Sequence, residues 1–184
     1  MSEYQNVIWI TGMSACGKTT LANLVVEQYK FSNKNAIWLD GDDLREALCI
    51  SNSFDKSARL ELAFKYAGIA KMLANQGFLV VVSTVALHHE IHDWNRKNLP
   101  GYFEVFIKCD LAELKRRDPK GLYKGYEDGK ISNIAGLDMS AEFPSKPDLI
   151  IASGEFTDPN QSKELVVQKF EDWRKGTENK FNLV

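Results

Sequence analysis

The chain has 184 residues, 44% of them hydrophobic, enough for one good core, and a single compact domain over 1–184 is the expectation. Its 23 Lys and Arg against 25 Asp and Glu give a net charge of −2, without the basic footprint of a nucleic-acid binder. No apolar run nears the roughly 20 residues of a membrane span. Three cysteines lack zinc spacing, and the first residues lack an export pattern, so a cytoplasmic setting is expected.

The first apolar run, Val7–Thr11, leads into Gly12-Met13-Ser14-Ala15-Cys16-Gly17-Lys18-Thr19-Thr20 and then a helical pattern over Lys18–Lys30. This fits G-x-x-x-x-G-K-[ST] in the strand-loop-helix context that the motif demands. Backbone N–H groups of such a loop turn inward around phosphates, Lys18 reaches the β/γ oxygens, and the Thr19 hydroxyl serves Mg²⁺. The helix that follows directs its positive end at the anion. Gly12, Ser14, Ala15, Cys16, Gly17, Lys18, Thr19 and Thr20 are therefore the expected ATP-binding residues. Cys16 reads as a small residue filling a tight turn, with a lowered thiol pKa as the alternative.

A second strand is expected at Ala36–Asp40, followed by Gly41-Asp42-Asp43-Leu44-Arg45 and a helix over Asp43–Cys49. Carboxylates there lie at the edge where open α/β sheets bind ligands. They can hold Mg²⁺ through water or accept the proton of an attacking hydroxyl. Asp40 and Asp42 are the functional candidates, and Asp43 reads as the helix N-cap. A helix over Lys56–Gln76 spaces Leu60, Phe64, Ala67, Ile69 and Leu73 along its apolar face.

Phe78–Thr84, Tyr102–Cys109 and Asp148–Ala152 complete five strands, Leu149-Ile150-Ile151 reading as apolar on both faces. Helices are expected over Leu87–Asn98, Leu111–Arg117 and Gln161–Lys175, with a frayed polar tail beyond. The alternation predicts an α/β fold, a parallel five-stranded sheet flanked by helices. His88, His89 and His92 read as a solvated helix start, with one histidine at the ligand edge as the alternative and zinc disfavoured. Residues 118–147, rich in Gly, Pro and charge, read as a lid loop opening on the basic run Lys115-Arg116-Arg117-Asp118-Pro119-Lys120.

Together, Trp9–Thr20, Leu39-Asp40-Gly41-Asp42, Arg117-Asp118-Pro119-Lys120-Gly121-Leu122-Tyr123-Lys124 and Gly136-Leu137-Asp138 resemble the adenylyl-sulfate kinase family, in register over about Val7 to Ile151. The lid stretch is specific to that family; the first loop is shared by all P-loop kinases. The resemblance implies a P-loop NTPase/kinase fold, usually dimeric, that uses ATP and Mg²⁺ to phosphorylate the ribose 3′-hydroxyl of adenosine 5′-phosphosulfate. It implies that Asp42 is the catalytic carboxylate, with Lys18, Lys120 and Arg117 on the phosphoryl group and Thr19 with Asp40 on the metal. Asp40 and Arg45 would face the acceptor, Phe54 would stack on its base, and Arg59 would hold its anionic tail.

The departures from the family pattern gather on the acceptor side. Its Asp-Arg-x-x-Asn-Ile-Arg-Arg is Ala58-Arg59-Leu60-Glu61-Leu62-Ala63-Phe64-Lys65, putting Leu62 in place of an amide. Its Ile-Ser-Pro is Val85-Ala86-Leu87, and its Phe-Thr-Gly-Ile-Asp is Ile134-Ala135-Gly136-Leu137-Asp138, which removes a stacking ring. The leading expectation is an adenylyl-sulfate-like acceptor. The alternative is the same chemistry on another nucleotide such as cytidine diphosphoramidate, which relatives in surface-polysaccharide pathways phosphorylate; a non-catalytic nucleotide-binding module is the rival from another class.

Overall fold

The computed structural model describes residues 6–50, 55–154 and 157–181. Five strands form one parallel sheet: β1 (Asn6–Gly12), β2 (Ala36–Asp40), β3 (Leu79–Thr84), β4 (Tyr102–Cys109) and β5 (Leu149–Ser153), in the order β2-β3-β1-β4-β5. Between and after them run α1 (Lys18–Phe31), α2 (Gly41–Ala47), α3 (Lys56–Ala74), α4 (His89–Asn98), α5 (Leu111–Arg117), α6 (Leu122–Glu127) and α7 (Pro159–Phe181). The five expected strands and six expected helices are all present.

Alternation along the strands divides the core in two. Ile8, Ile10, Leu79, Val81, Phe103 and Val105 face α1 and α7, where Leu21, Val25 and Phe170 meet them. Val7, Trp9, Val80 and Val82 face α3 and α4. On α3 the buried stripe is Leu62, Ala63, Tyr66, Ala67, Ala70 and Ala74, one position off the expected face, with Leu60, Phe64 and Leu73 at its flanks and Ile69 only half-buried. Alanines let the helix axis approach the sheet, while the larger residues fill the sides.

Three local expectations change. Ile150 is 55% exposed because β5 closes the sheet edge, so that strand is not covered on both faces. The last helix starts on Pro159, whose fixed φ suits a first helical position, and continues through the polar stretch expected to fray. The lid contains α6, which the glycines and Pro119 obscure in the sequence: Asp118 accepts from the N–H groups of Tyr123 and Lys124, and Gly121 supplies the left-handed entry.

A buried polar network, unforeseen from the sequence, fastens α4 to the sheet. Glu104, beside Trp9 in register and 3% exposed, accepts from Tyr102 Oη at 2.8 Å and Arg96 at 3.2 Å and meets His92 Nδ1 at 2.6 Å. Arg96 also donates to Asp148 at 2.6 Å. Glu104→Ala strands these partners, and urea denaturation should read a loss of about 3–5 kcal/mol, in the range for breaking a buried ion pair; an unchanged midpoint would contradict the network's role.

Candidate active site

The loops after β1, β2 and β3 open on the same sheet edge and, with α3 and the lid, enclose a cleft of about 710 Å³. The loop after β1 is tightly determined. Gly12 has φ 152°, and a Cβ there would lie 2.6 Å from the Ile107 carbonyl oxygen and 2.8 Å from Cys16 Sγ, so no larger residue fits. Ala15 takes φ 66°, a strained value for a residue with a Cβ, and Gly17 takes φ 101°. Cys16 is 1% exposed, the small filler of a tight turn, and with Gly12 it forms the back of the loop. Ser14, Ala15, Gly17, Lys18, Thr19 and Thr20 face the cleft. The Lys18 ammonium crosses the loop and donates to Met13 O at 2.7 Å.

Asp40 ends β2 and caps α2, its Oδ1 accepting from the Asp42 N–H at 2.9 Å. Asp43 is therefore a first-turn acid and not the cap: the helix starts earlier because Asp40 is extended, φ −85° and ψ 141°, with its carboxylate facing the new helix. The other oxygen, Oδ2, accepts from Thr19 Oγ1 at 3.1 Å and Ser83 Oγ at 2.6 Å, and Ser83 in turn accepts from Trp38 Nε1 at 2.9 Å. Thr19 and Asp40 thus present hard oxygens side by side, a donor set suited to Mg²⁺ completed by phosphate and water. A Cβ at Gly41 would meet Thr84 Oγ1 at 3.1 Å and Ser83 O at 3.3 Å, which explains the glycine between the two aspartates.

Asp42 projects from the first turn of α2 and pairs with Lys120 of the lid. Arg45 follows on the same helix, and Arg59 of α3 donates to Asn133 O in the lid at 2.7 Å; both line the cleft. Burial lowers the Arg59 pKa, and the nearby Arg45 lowers it further. Leu62, Val85 and Ile134 line the same cleft, Leu62 at 4% and Ile134 at 6% exposure. Phe54 lies outside the described residues. Arg117 lines the cleft and is held by Glu113 at 2.6 Å, Ser153 Oγ at 3.0 Å and Gly154 O at 2.7 Å, so it is a fixed wall cation.

Sequence reasoning misses two tyrosines. Tyr66 Oη donates to Gly41 O at 2.7 Å from the cleft wall, and burial pushes its pKa up to about 12. It lies four residues after Leu62, so helical spacing alone could have found it. Tyr123, 1% exposed, donates to Ser14 O at 3.0 Å and ties α6 to the phosphate loop. The histidines are not a solvated helix start: His88 is 4% and His92 6% exposed, His92 turning to Glu104 and His88 lining the cleft. His89 alone is exposed, and its N–H donates to Glu142, whose carboxyl its ion pair with Lys56 and this N–H hold at about 2.

A model of the adenylylsulphate kinase family matches residues 4–152. A cytidine diphosphoramidate kinase of Campylobacter jejuni is 40% identical over 169 residues, 92% of this chain and 98% of its own. The adenylyl-sulfate kinase of Pseudomonas aeruginosa is 37% identical over 147 residues, 79% of this chain and 75% of its own. Among solved structures, the Mycobacterium tuberculosis APS kinase CysC in complex with AMPPNP and APS superposes with a TM-score of 0.85 at 31% identity, covering 91% of this chain and 98% of that one. No helix among the described residues is long and apolar enough to cross a membrane. With a matched family model spanning most of its length, the chain belongs to the adenylylsulphate kinase family.

Proposed function

We propose that the protein transfers the γ-phosphate of ATP to the ribose 3′-hydroxyl of a nucleotide that carries a short anionic tail. The observation that carries this reading is the convergence of Lys18, Asp42 and Lys120 in one cleft that Arg45 and Arg59 also line. Asp42 takes the 3′-hydroxyl proton as the hydroxyl oxygen bonds to the γ-phosphorus and the bond to ADP breaks. Lys18 and the N–H groups of the Gly12–Thr19 loop steady the phosphates, and Lys120 leaves Asp42 for the transferred oxygens. Mg²⁺, held by Thr19 with Asp40 near it, would neutralise charge on the β- and γ-oxygens. Arg117 fixes the wall beside Gly17, where a Cβ would lie 3.9 Å from its guanidinium.

The motifs alone lead to adenosine 5′-phosphosulfate as acceptor. The apolar wall of Leu62 and Ile134, with the 40% identical relative, supports cytidine diphosphoramidate instead. A wall built from aliphatic groups leaves a polar group opposite it unpaired, at about 1–3 kcal/mol. The second reading keeps adenosine 5′-phosphosulfate, since relatives such as the Pseudomonas aeruginosa enzyme carry that activity in their name. Steady-state kinetics with both acceptors decide between them: a kcat/KM at least tenfold higher on cytidine diphosphoramidate is the result expected, and the reverse order restores the second reading. A homodimer, implied by the family resemblance, belongs to this proposal and is checked by light scattering.

A further inference from the structure

One polar side chain on the acceptor wall has no partner. His88 caps α4 from the loop after β3, is 4% exposed, and lines the cleft among Leu62, Ala86, Leu87 and Ile134. Its Nδ1 is buried and has no hydrogen-bond partner among the described residues. The charged groups whose fields reach the ring are Glu142, Lys56, His92 and Arg59. Three of these are engaged elsewhere: Lys56 pairs with Glu142 at 2.6 Å, and His92 meets Glu104 at 2.6 Å. Arg59 shares the cleft wall with His88, and the neighbouring Arg45 adds a second cation that an anion between them would offset.

Burial lowers the His88 pKa, so the ring is neutral near pH 7 and carries one N–H. A buried bare acceptor is tolerated better than a buried orphan N–H, which favours the proton on Nε2 and leaves Nδ1 bare. A neutral donor within reach of the Arg59 field suits an oxyanion.

We propose that His88 is an acceptor-binding residue whose imidazole N–H donates to an oxygen of the acceptor nucleotide's anionic tail, alongside Arg59. The assignment rests on the nucleotide 3′-kinase reading above. It holds for a phosphoramidate or a sulfate tail, because both present anionic oxygens.

The test compares wild type with His88→Phe, which keeps a ring without a donor, and His88→Asn, which keeps an N–H donor and a favourable cap. Acceptor kinetics use cytidine diphosphoramidate and adenosine 5′-phosphosulfate. In the Phe variant, KM for the acceptor that the wild type uses should rise about tenfold, the loss typical of one hydrogen bond to a charged group. KM for ATP and kcat at saturating acceptor should stay within about twofold, and Asn should recover most of the loss. An unchanged acceptor KM overturns the assignment and leaves the kinase reading standing, whereas a wild type that phosphorylates neither acceptor overturns both. Calorimetry with cytidine and adenosine, which have no tail, should show equal affinity in wild type and Phe variant; a matching loss would place His88 on the base or ribose and overturn the tail assignment. Independently of any substitution, the ¹⁵N resonances of His88 in the wild type should shift on titration with the acceptor, and their constancy would also overturn it.

Discussion

Asp42→Asn is expected to lower kcat about 10²–10⁴-fold while KM for ATP stays within about twofold, the range for losing a positioned general base. Asn keeps the shape of the side chain and is tolerated in a first helical turn, so the fold should be unaffected. Asp40 is poorly placed to stand in as the base. Its two oxygens are committed to Thr19, Ser83 and the Asp42 N–H, and it is only 7% exposed. Asp42 is mostly exposed to the cleft, with Lys120 as its partner. Coupled detection of ADP release gives kcat, and ATP-induced thermal stabilisation reports donor binding separately. Retained ATP binding with lost transfer is the pattern of a catalytic group. Undiminished transfer would remove Asp42 from the mechanism, and an inactive wild type that still binds nucleotide would favour the non-catalytic module.

Lys18→Met should cost about 10²–10³ in kcat, the effect of removing one preorganised donor from the transition-state charge, and should weaken ATP binding as well. Methionine keeps much of the chain length and apolar stem, so the loss isolates the ammonium. The loop itself should persist. Its shape is set by Gly12 against Ile107, by Cys16 in the core and by the Tyr123 bond to Ser14 O, which remain when the Lys18 bond to Met13 O is lost. Steady-state kinetics with ATP varied reads both effects together. A Lys18→Met enzyme with wild-type kcat and ATP affinity would contradict the assignment of this loop to the donor.

Most of the fold was legible because it rests on local signals. The apolar run from Phe78 to Val82 reads as a buried strand, which starts at Leu79, and Gly12–Thr20 between a strand and a helix reads as a phosphate loop. What escaped depends on contacts between distant residues. Glu104 sits in an otherwise apolar strand, and only the approach of His92, Tyr102 and Arg96 makes its burial tolerable. The cap of α2 was misplaced because Asp40 and Asp43 are equally good caps in composition, and the choice turns on backbone dihedrals that no local pattern encodes. Ile150 read as buried because apolar strands look alike at the centre and at the edge of a sheet.

The site divides in the same way. Lys18, Thr19, Asp40, Asp42 and Lys120 follow from motifs, and the structure brings them to one cleft. Tyr66, Tyr123 and His88 enter it through tertiary packing of α3, α6 and the start of α4, so their spacing or motif marks the segment but not their role in the cleft. Their spacing was visible, but which face met the cleft was not.

Transfer to a ribose 3′-hydroxyl is tested by following γ-labelled ATP with cytidine diphosphoramidate, adenosine 5′-phosphosulfate and the 3′-deoxy form of each. Label is expected in the nucleotide product of at least one intact acceptor, located on the 3′ oxygen, and none in its 3′-deoxy form. Label appearing only as inorganic phosphate, or transferred equally to the 3′-deoxy acceptors, would contradict it.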